Sequence, residues 1–161
     1  ASVPPLWASL QIAGGFAMAP LAETSADDLR RMIERNLTTC FLACREGARR
    51  IRAASHGGGR LVNVAAKPAL VPTGGLAAYV ASKAAVVGLT QTLSEELAPE
   101  GIWVNAVVPS VMDTPANRAG MPDADHDAWP SVADVAETLA FLASPSNRVT
   151  RGALVPVYGR A

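Results

Sequence analysis

The chain has 161 residues, of which 50% are hydrophobic, 17% charged and 5% aromatic. That is about one domain's worth of chain with enough apolar matter for a packed core, which excludes a disordered polymer. Lys plus Arg (14) balances Asp plus Glu (14), which excludes a dominant electrostatic attraction for nucleic acid or an anionic membrane.

No charge occurs before Glu23. Pro4, Pro5, Gln11, Gly14, Gly15 and Pro20 nevertheless interrupt this opening, and no basic stretch precedes it. It is therefore read as a loop and a buried strand over residues 8–13, not as a signal or membrane segment. Thr24-Ser25-Ala26-Asp27-Asp28 is a helix start, with a hydroxyl cap and acids in the first turn. Leu29, Ile33, Leu37, Phe41 and Cys44 continue it at helical spacing to about Ala54. Cys40 and Cys44 fall on one face of that helix and are read as small buried residues in a reducing, cytoplasmic setting. After the breaker His56–Gly59, residues 60–65 form a second strand. Residues 67–75 are a loop, and 76–98 a long helix ended by Pro99-Glu100-Gly101. Residues 102–108 are a third strand, 110–130 irregular, 131–143 a helix that opens on Ser131 and Asp134, and 153–157 a fourth strand. Strands alternating with helices predict an α/β fold on parallel strands.

Tyr79 and Lys83 share one face of the long helix. A phenol is a poor acid/base at neutral pH because its pKa is near 10. A neighbouring ammonium favours the phenolate and is expected to bring that pKa down. Tyr-x-x-x-Lys is thus a workable proton donor.

The run Ala78-Tyr79-Val-Ala-Ser82-Lys83-Ala-Ala-Val, then Leu93-x-x-Glu96-Leu97, then Gly101-Ile102-x-Val104-Asn105-Ala106-Val107-x-Pro109, resembles the short-chain dehydrogenase/reductase family. Ile12-Ala13-Gly14-Gly15, Asn36 within Glu34-Arg-Asn-Leu37, Leu61-Val-Asn63-Val, Thr114 and the closing Gly152-Ala-x-x-x-Pro156-Val157 extend the resemblance along nearly the whole chain. It implies a Rossmann-like, three-layer parallel sheet that retains strands 4–7 of the family order, over a single partial domain spanning 1–161. It also implies hydride transfer between NAD or NADP and a small-molecule carbonyl or alcohol. By resemblance, Tyr79 is the acid/base, Lys83 holds the nicotinamide ribose and lowers the Tyr79 pKa, and Asn36 anchors a water in a proton relay. Ala13, Gly14, Pro109, Ser110, Val111 and Thr114 line the cofactor, and the helices at 25–54 and 76–98 form a homo-oligomer. Asn105 is read as structural.

Two departures stand out. Ala66 occupies the family's catalytic serine position, with Ala65 beside it. The dihydropteridine reductases are similar here, both at Ala66-Lys67-Pro-Ala-Leu70 and at Ala13-Gly14-Gly15-Phe16. That similarity implies a pterin-like or quinonoid substrate; Ser82 and Thr73 are the other hydroxyls in range of a substituting role. The family's Gly-x-x-x-Gly-x-Gly phosphate loop is also absent, since neither Gly57–Gly59 nor Gly74–Gly75 follows a strand and opens a helix as that loop does. With the match starting at the family's fourth strand, residues 8–13 become an edge. A companion segment or self-association is expected to cover it.

No metal site is expected, because His56 and His126 lack a third ligand at useful spacing and Asp123, Asp125 and Asp127 lack the glycine and glutamate of a calcium loop. Met121, His126 and Trp129 belong to a flap on the substrate side. The competing reading of the whole chain is a non-catalytic remnant or scaffold that keeps the oligomer-forming helices without the cofactor site.

Overall fold

A computed structural model describes residues 5–55 and 57–161. Residues 1–4 of the expected opening loop, and His56, lie outside the described residues. Four parallel strands, β1 (Ala8–Gln11), β2 (Gly59–Val64), β3 (Ile102–Pro109) and β4 (Leu154–Val157), form one sheet in the order β1-β2-β3-β4. The register pairs Leu10 with Val62, Val62 with Asn105 and Ala106 with Leu154. The two central strands are buried nearly throughout, as strands covered on both faces must be. Leu61, Val62, Val104, Ala106, Val107 and Val108 have no exposed surface, and each valine or leucine so buried contributes roughly 1.5–3 kcal/mol of transfer free energy.

The first helix is continuous but not uniform. It comprises α1 (Ala26–Met32), a π-helical turn over Ile33–Thr38, and α2 (Thr39–Ala54). Its start is a capping box: the Ser25 hydroxyl accepts from the Asp28 amide at 3.1 Å, and the Asp28 carboxylate accepts from the Ser25 amide at 3.0 Å. A cap of this kind is worth about 1 kcal/mol. Helix α3 (Ala77–Leu97) lies beside α2 on the same face of the sheet. Cys40, Cys44, Ala48 and Ile51 of α2 meet Leu61 and Val104 of the sheet and Val86 and Leu97 of α3 in one cluster. Gly47 lets α2 come this close, because a Cβ there would stand 3.0 Å from the Leu61 side chain and 3.1 Å from Ser9. Helix α5 (Val132–Ala143) covers the other face, with Leu142 against Val62 and Val107. The result is the expected three-layer α/β arrangement.

The polar stretch 110–130 contains two elements the sequence reading left irregular, the short helix α4 (Pro115–Gly120) and a 3-10 turn over His126–Ala128. Thr114 caps α4, accepting from the Asn117 amide at 3.2 Å, and Pro115 occupies its first turn. Asn105 is structural: its amide donates to Thr150 O at 2.9 Å and its Oδ1 accepts from the Ala153 amide at 3.0 Å, which positions β4. At the amino end of the sheet, the Arg60 guanidinium lies between the Trp7 and Trp103 rings, 5.0 and 4.2 Å from their centres. It donates to Gly59 O and Asn147 O, while the Trp7 indole donates to Ala143 O. Among the described residues β1 pairs with β2 alone, and Leu10 and the following Ile12 are 39% and 68% exposed.

Candidate active site

All four strands end on the same side, so the segments that follow them converge there. Those segments carry Ala13-Gly14-Gly15 after β1, Ala65-Ala66 after β2, Ser110–Thr114 after β3 and Tyr158 after β4. The first turns of α3 bring Tyr79, Ser82 and Lys83 to this end.

Asn36 is the hub. It lies in the π-helical turn and is 1% exposed; such widened turns recur at functional sites. Its Oδ1 accepts from the Gly15 amide at 2.8 Å. Its Nδ2 donates to Gly15 O at 3.0 Å and to Ser82 Oγ at 2.9 Å. Ser82 Oγ in turn donates to Tyr79 O at 2.7 Å. One amide therefore fixes the loop after β1 against the turn of α3 that carries Tyr79. Gly14 fits because it has no Cβ; one placed there would stand 2.7 Å from Asn36 Oδ1 and 3.5 Å from Lys83 Nζ.

Lys83 is buried, and its ammonium donates to Val64 O, the last carbonyl of β2, at 2.8 Å. Burial holds its pKa below the ordinary lysine value. Burial pushes Tyr79 above the ordinary phenol value. That direction is the reverse of the lowering expected from Lys83, whose ammonium donates to Val64 O at the end of β2. Burial thus favours the neutral phenol over the phenolate at Tyr79.

The remaining expected residues fall into two groups. Ala13, Gly14 and Val111 are exposed at the site, free to contact a ligand. Pro109 is buried as the last residue of β3, Ser110 Oγ donates to Tyr158 O at 2.9 Å, and Thr114 serves as the α4 cap. Ala66 is 5% exposed and presents only a methyl group. Ser82, with its hydroxyl engaged on both sides, is not free to replace a serine there; Thr73 is exposed in the loop before α3. His126 Nε2 lies 2.8 Å from Met121 O and its ring packs 4.6 Å from Trp129, so the expected flap folds on itself. Both thiols are free, and Cys40 is held above its ordinary pKa by its hydrogen bond with Cys44 and by burial. No cluster of three or more His, Cys, Asp or Glu that could hold a metal occurs among the described residues, and no helix there is long and apolar enough to cross a membrane.

Two neighbours of the site entered the sequence reading only as members of resembling runs, with no role assigned to either. Phe16 stands edge-on to Tyr79, ring centres 5.0 Å apart and planes at 72°. Lys67, next to Ala66, donates to Ala161 O at 3.1 Å and lies 5.0 Å from the centre of the Tyr158 ring. Only the aromatic residue after two glycines, and the lysine after the vacant serine position, signalled either.

Four parallel strands thus bring a glycine turn, the half-buried Tyr79 and the buried Lys83 to the carboxyl end of the sheet. Residues 2–125 match the short chain dehydrogenase family. The chain is 34% identical over 148 residues to a short-chain type dehydrogenase/reductase of Picea abies, covering 86% of this chain and 54% of that one. It is 34% identical over 148 residues to a (3R)-3-hydroxyacyl-CoA dehydrogenase of Rattus norvegicus, covering 86% and 56%. A solved 4-hydroxyisoleucine dehydrogenase complexed with NADH superimposes with a TM-score of 0.83 at 29% identity, covering 94% of this chain and 67% of that one. The chain belongs to the short-chain dehydrogenase family and spans little more than half the length of these curated relatives.

The donor set fits the nicotinamide-ribose half of NAD or NADP. Lys83 Nζ has one acceptor in Val64 O and two further hydrogens, beside a glycine whose missing Cβ leaves room. The glycine turns do not provide the pyrophosphate cradle: Gly57–Gly59 precede β2 at the amino end of the sheet, and Gly74–Gly75 open α3.

Proposed function

We propose that this chain carries the catalytic portion of an NAD(P)-dependent oxidoreductase that acts on a carbonyl or quinonoid substrate, with Tyr79 as the acid/base. The bound nicotinamide supplies the hydride. Lys83 holds the ribose, Asn36 and Gly14 hold the loop beneath it, and Ala13, Pro109, Ser110, Val111 and Thr114 line the nicotinamide. Tyr79 gives its phenolic proton to the substrate heteroatom, favoured by the burial that keeps it protonated. Asn36 commits its side chain to Gly15 and Ser82, so its part in a proton relay runs through its backbone. The carrying observation is the hydrogen-bonded chain Gly15–Asn36–Ser82–Tyr79 between elements far apart in sequence, with Gly14 packed close to Asn36 and Lys83. The hydroxy compounds named for the rat relative and the 4-hydroxyisoleucine enzyme support a carbonyl–alcohol reaction.

A second reading, a non-catalytic scaffold, draws on Ala66 and on Leu29, Phe41 and Leu42, which are 42–44% exposed along the first helix. These side chains are the proposed homo-oligomer surface in either case, and the free cysteines accord with a cytoplasmic setting. Calorimetric titration of NADH and NADPH into the chain separates the two. Micromolar binding that Lys83→Ala weakens at least about ten-fold, roughly 1.4 kcal/mol, sustains the oxidoreductase; no binding of either nucleotide favours the scaffold.

A further inference from the structure

Cys40 and Cys44 lie one turn apart on α2, 5% and 1% exposed, and both thiols are free. They are hydrogen-bonded to one another. Cys44 is also held from the sheet. Gln11 Nε2 of β1 donates to its sulfur at 3.5 Å, and its thiol donates to Asn63 Oδ1 of β2 at 3.2 Å. Beyond Cys40 stands the Lys83 ammonium, close enough to act on any charge that sulfur acquires. No carboxylate pairs with that ammonium among the described residues.

Two thiols packed in this way suggest a disulfide, but the helix opposes one. Side chains four apart on a helix keep their Cβ atoms about 5–6 Å from each other, whereas a disulfide requires roughly 3.5–4.5 Å. One atom inserted between the sulfurs removes the mismatch. A metal ion about 2.3 Å from each sulfur bridges a gap of up to about 4.6 Å. The ligand set then selects the ion. Zn(II) calls for four ligands, and no group of three His, Cys, Asp or Glu that could hold a metal occurs among the described residues. Two thiolates alone suit a soft, monovalent, two-coordinate ion, of which Cu(I) is the biological case. The charges agree as well. Two thiolates about one monovalent cation leave one net negative charge, and the unpaired ammonium of Lys83 stands beside it.

We infer that Cys40 and Cys44 form a binding site for one Cu(I) ion, with Lys83 as its counter-charge. On binding, two S–H bonds break, two Cu–S bonds form and two protons pass to solvent. Copper stays Cu(I), so nothing is oxidised or reduced. Gln11 keeps its bond to the Cys44 sulfur, which now carries more negative charge. Asn63 Oδ1 gives up its donor, while Asn63 Nδ2 keeps Thr90 Oγ1 at 2.9 Å. The site stands whether or not the chain takes a nucleotide.

Anaerobic titration with Cu(I) supplied as its bicinchoninate complex tests this on the full chain, and circular dichroism verifies the fold of each variant. The expected result is one Cu(I) per chain, retained against millimolar glutathione and not displaced by Zn(II). Cys40→Ala and Cys44→Ser should each weaken binding by more than about a hundred-fold, and Lys83→Met, outside the ligand pair, by about ten-fold with the stoichiometry unchanged. Serine at 44 retains a hydrogen-bonding hydroxyl beside Gln11 and Asn63, so its loss of copper reads as loss of a ligand. Copper surrendered to glutathione, copper displaced by Zn(II), or copper held undiminished by either cysteine variant would overturn the inference. Undiminished affinity in Lys83→Met would overturn the counter-charge on which the choice of a monovalent ion rests.

Discussion

The sheet holds a buried cation at each end, and the two are treated differently. At the amino end Arg60, 5% exposed, is enclosed by two indoles and donates to Gly59 O and Asn147 O. At the carboxyl end Lys83, 7% exposed, has Val64 O as an acceptor and retains hydrogens for a ligand. A guanidinium remains charged in such a place and holds two carbonyls and two rings at once, whereas an ammonium titrates readily when desolvated. The first cation joins β1, β2, β3 and the segment after α5. The second is the proposed anchor of the nucleotide ribose, and its bond to Val64 O uses one of its three hydrogens. Burial alone therefore does not mark a functional cation; the two differ in what encloses them, two indole rings and two carbonyls about a guanidinium whose Nε is left without a partner, and one strand-end carbonyl and the Gly14 turn about the ammonium.

Substitutions at the two ends should accordingly dissociate activity from stability. The largest effect is expected from Tyr79→Phe, which removes the proton donor: turnover should fall by about 10²–10⁴-fold with the denaturation midpoint nearly unchanged, as steady-state kinetics and urea unfolding would record. Arg60→Ala should do the reverse. Losing two cation–π contacts and two charged hydrogen bonds should lower stability by about 3 kcal/mol, while nucleotide affinity measured on the folded fraction stays within about two-fold. Lys83→Met should shift stability by no more than about 1 kcal/mol, because relief of a buried charge offsets the orphaned Val64 carbonyl, and should still weaken nucleotide binding. If Lys83→Met unfolds the chain as Arg60→Ala does, the contrast collapses.

The smallest effect concerns pH. In the proposed role Tyr79 acts as an acid in its protonated form, and burial raises its pKa. Reductive turnover should therefore hold through neutral pH and decline only above about 10. A decline centred nearer neutrality would mean that a bound ligand brings a positive charge to the phenol.

The fold was legible where one physical pattern dominates. Residues 60–65 and 102–108 are apolar runs that had to be buried strands, and Ser25 with Asp28 had to cap a helix. The pair Tyr79 and Lys83 was legible from spacing and family resemblance. The chemistry between them was not, because a separation of four residues says nothing about Val64 O, which claims the ammonium. The π-helical turn at Asn36 was hidden for a similar reason: Leu29, Ile33 and Leu37 keep ordinary helical spacing across it. Phe16 reaches Tyr79 only through the bonds of Gly15 to Asn36 and of Ala19 to Gly75. Arg60 finds Trp7 and Trp103 only once three strands are in register. Contacts across tens of residues leave no local periodicity to read.

The closeness of Gly14 to Asn36 also constrains how this sequence can drift. An alanine at 14 would set its methyl carbon 2.7 Å from an oxygen that cannot swing aside without surrendering the Gly15 amide. A shorter residue at 36 would make room for that alanine but release the loop that carries Phe16. Descendants of this chain should therefore keep or lose the two positions together, so that a lineage abandoning one is recognisable by what it has done to the other.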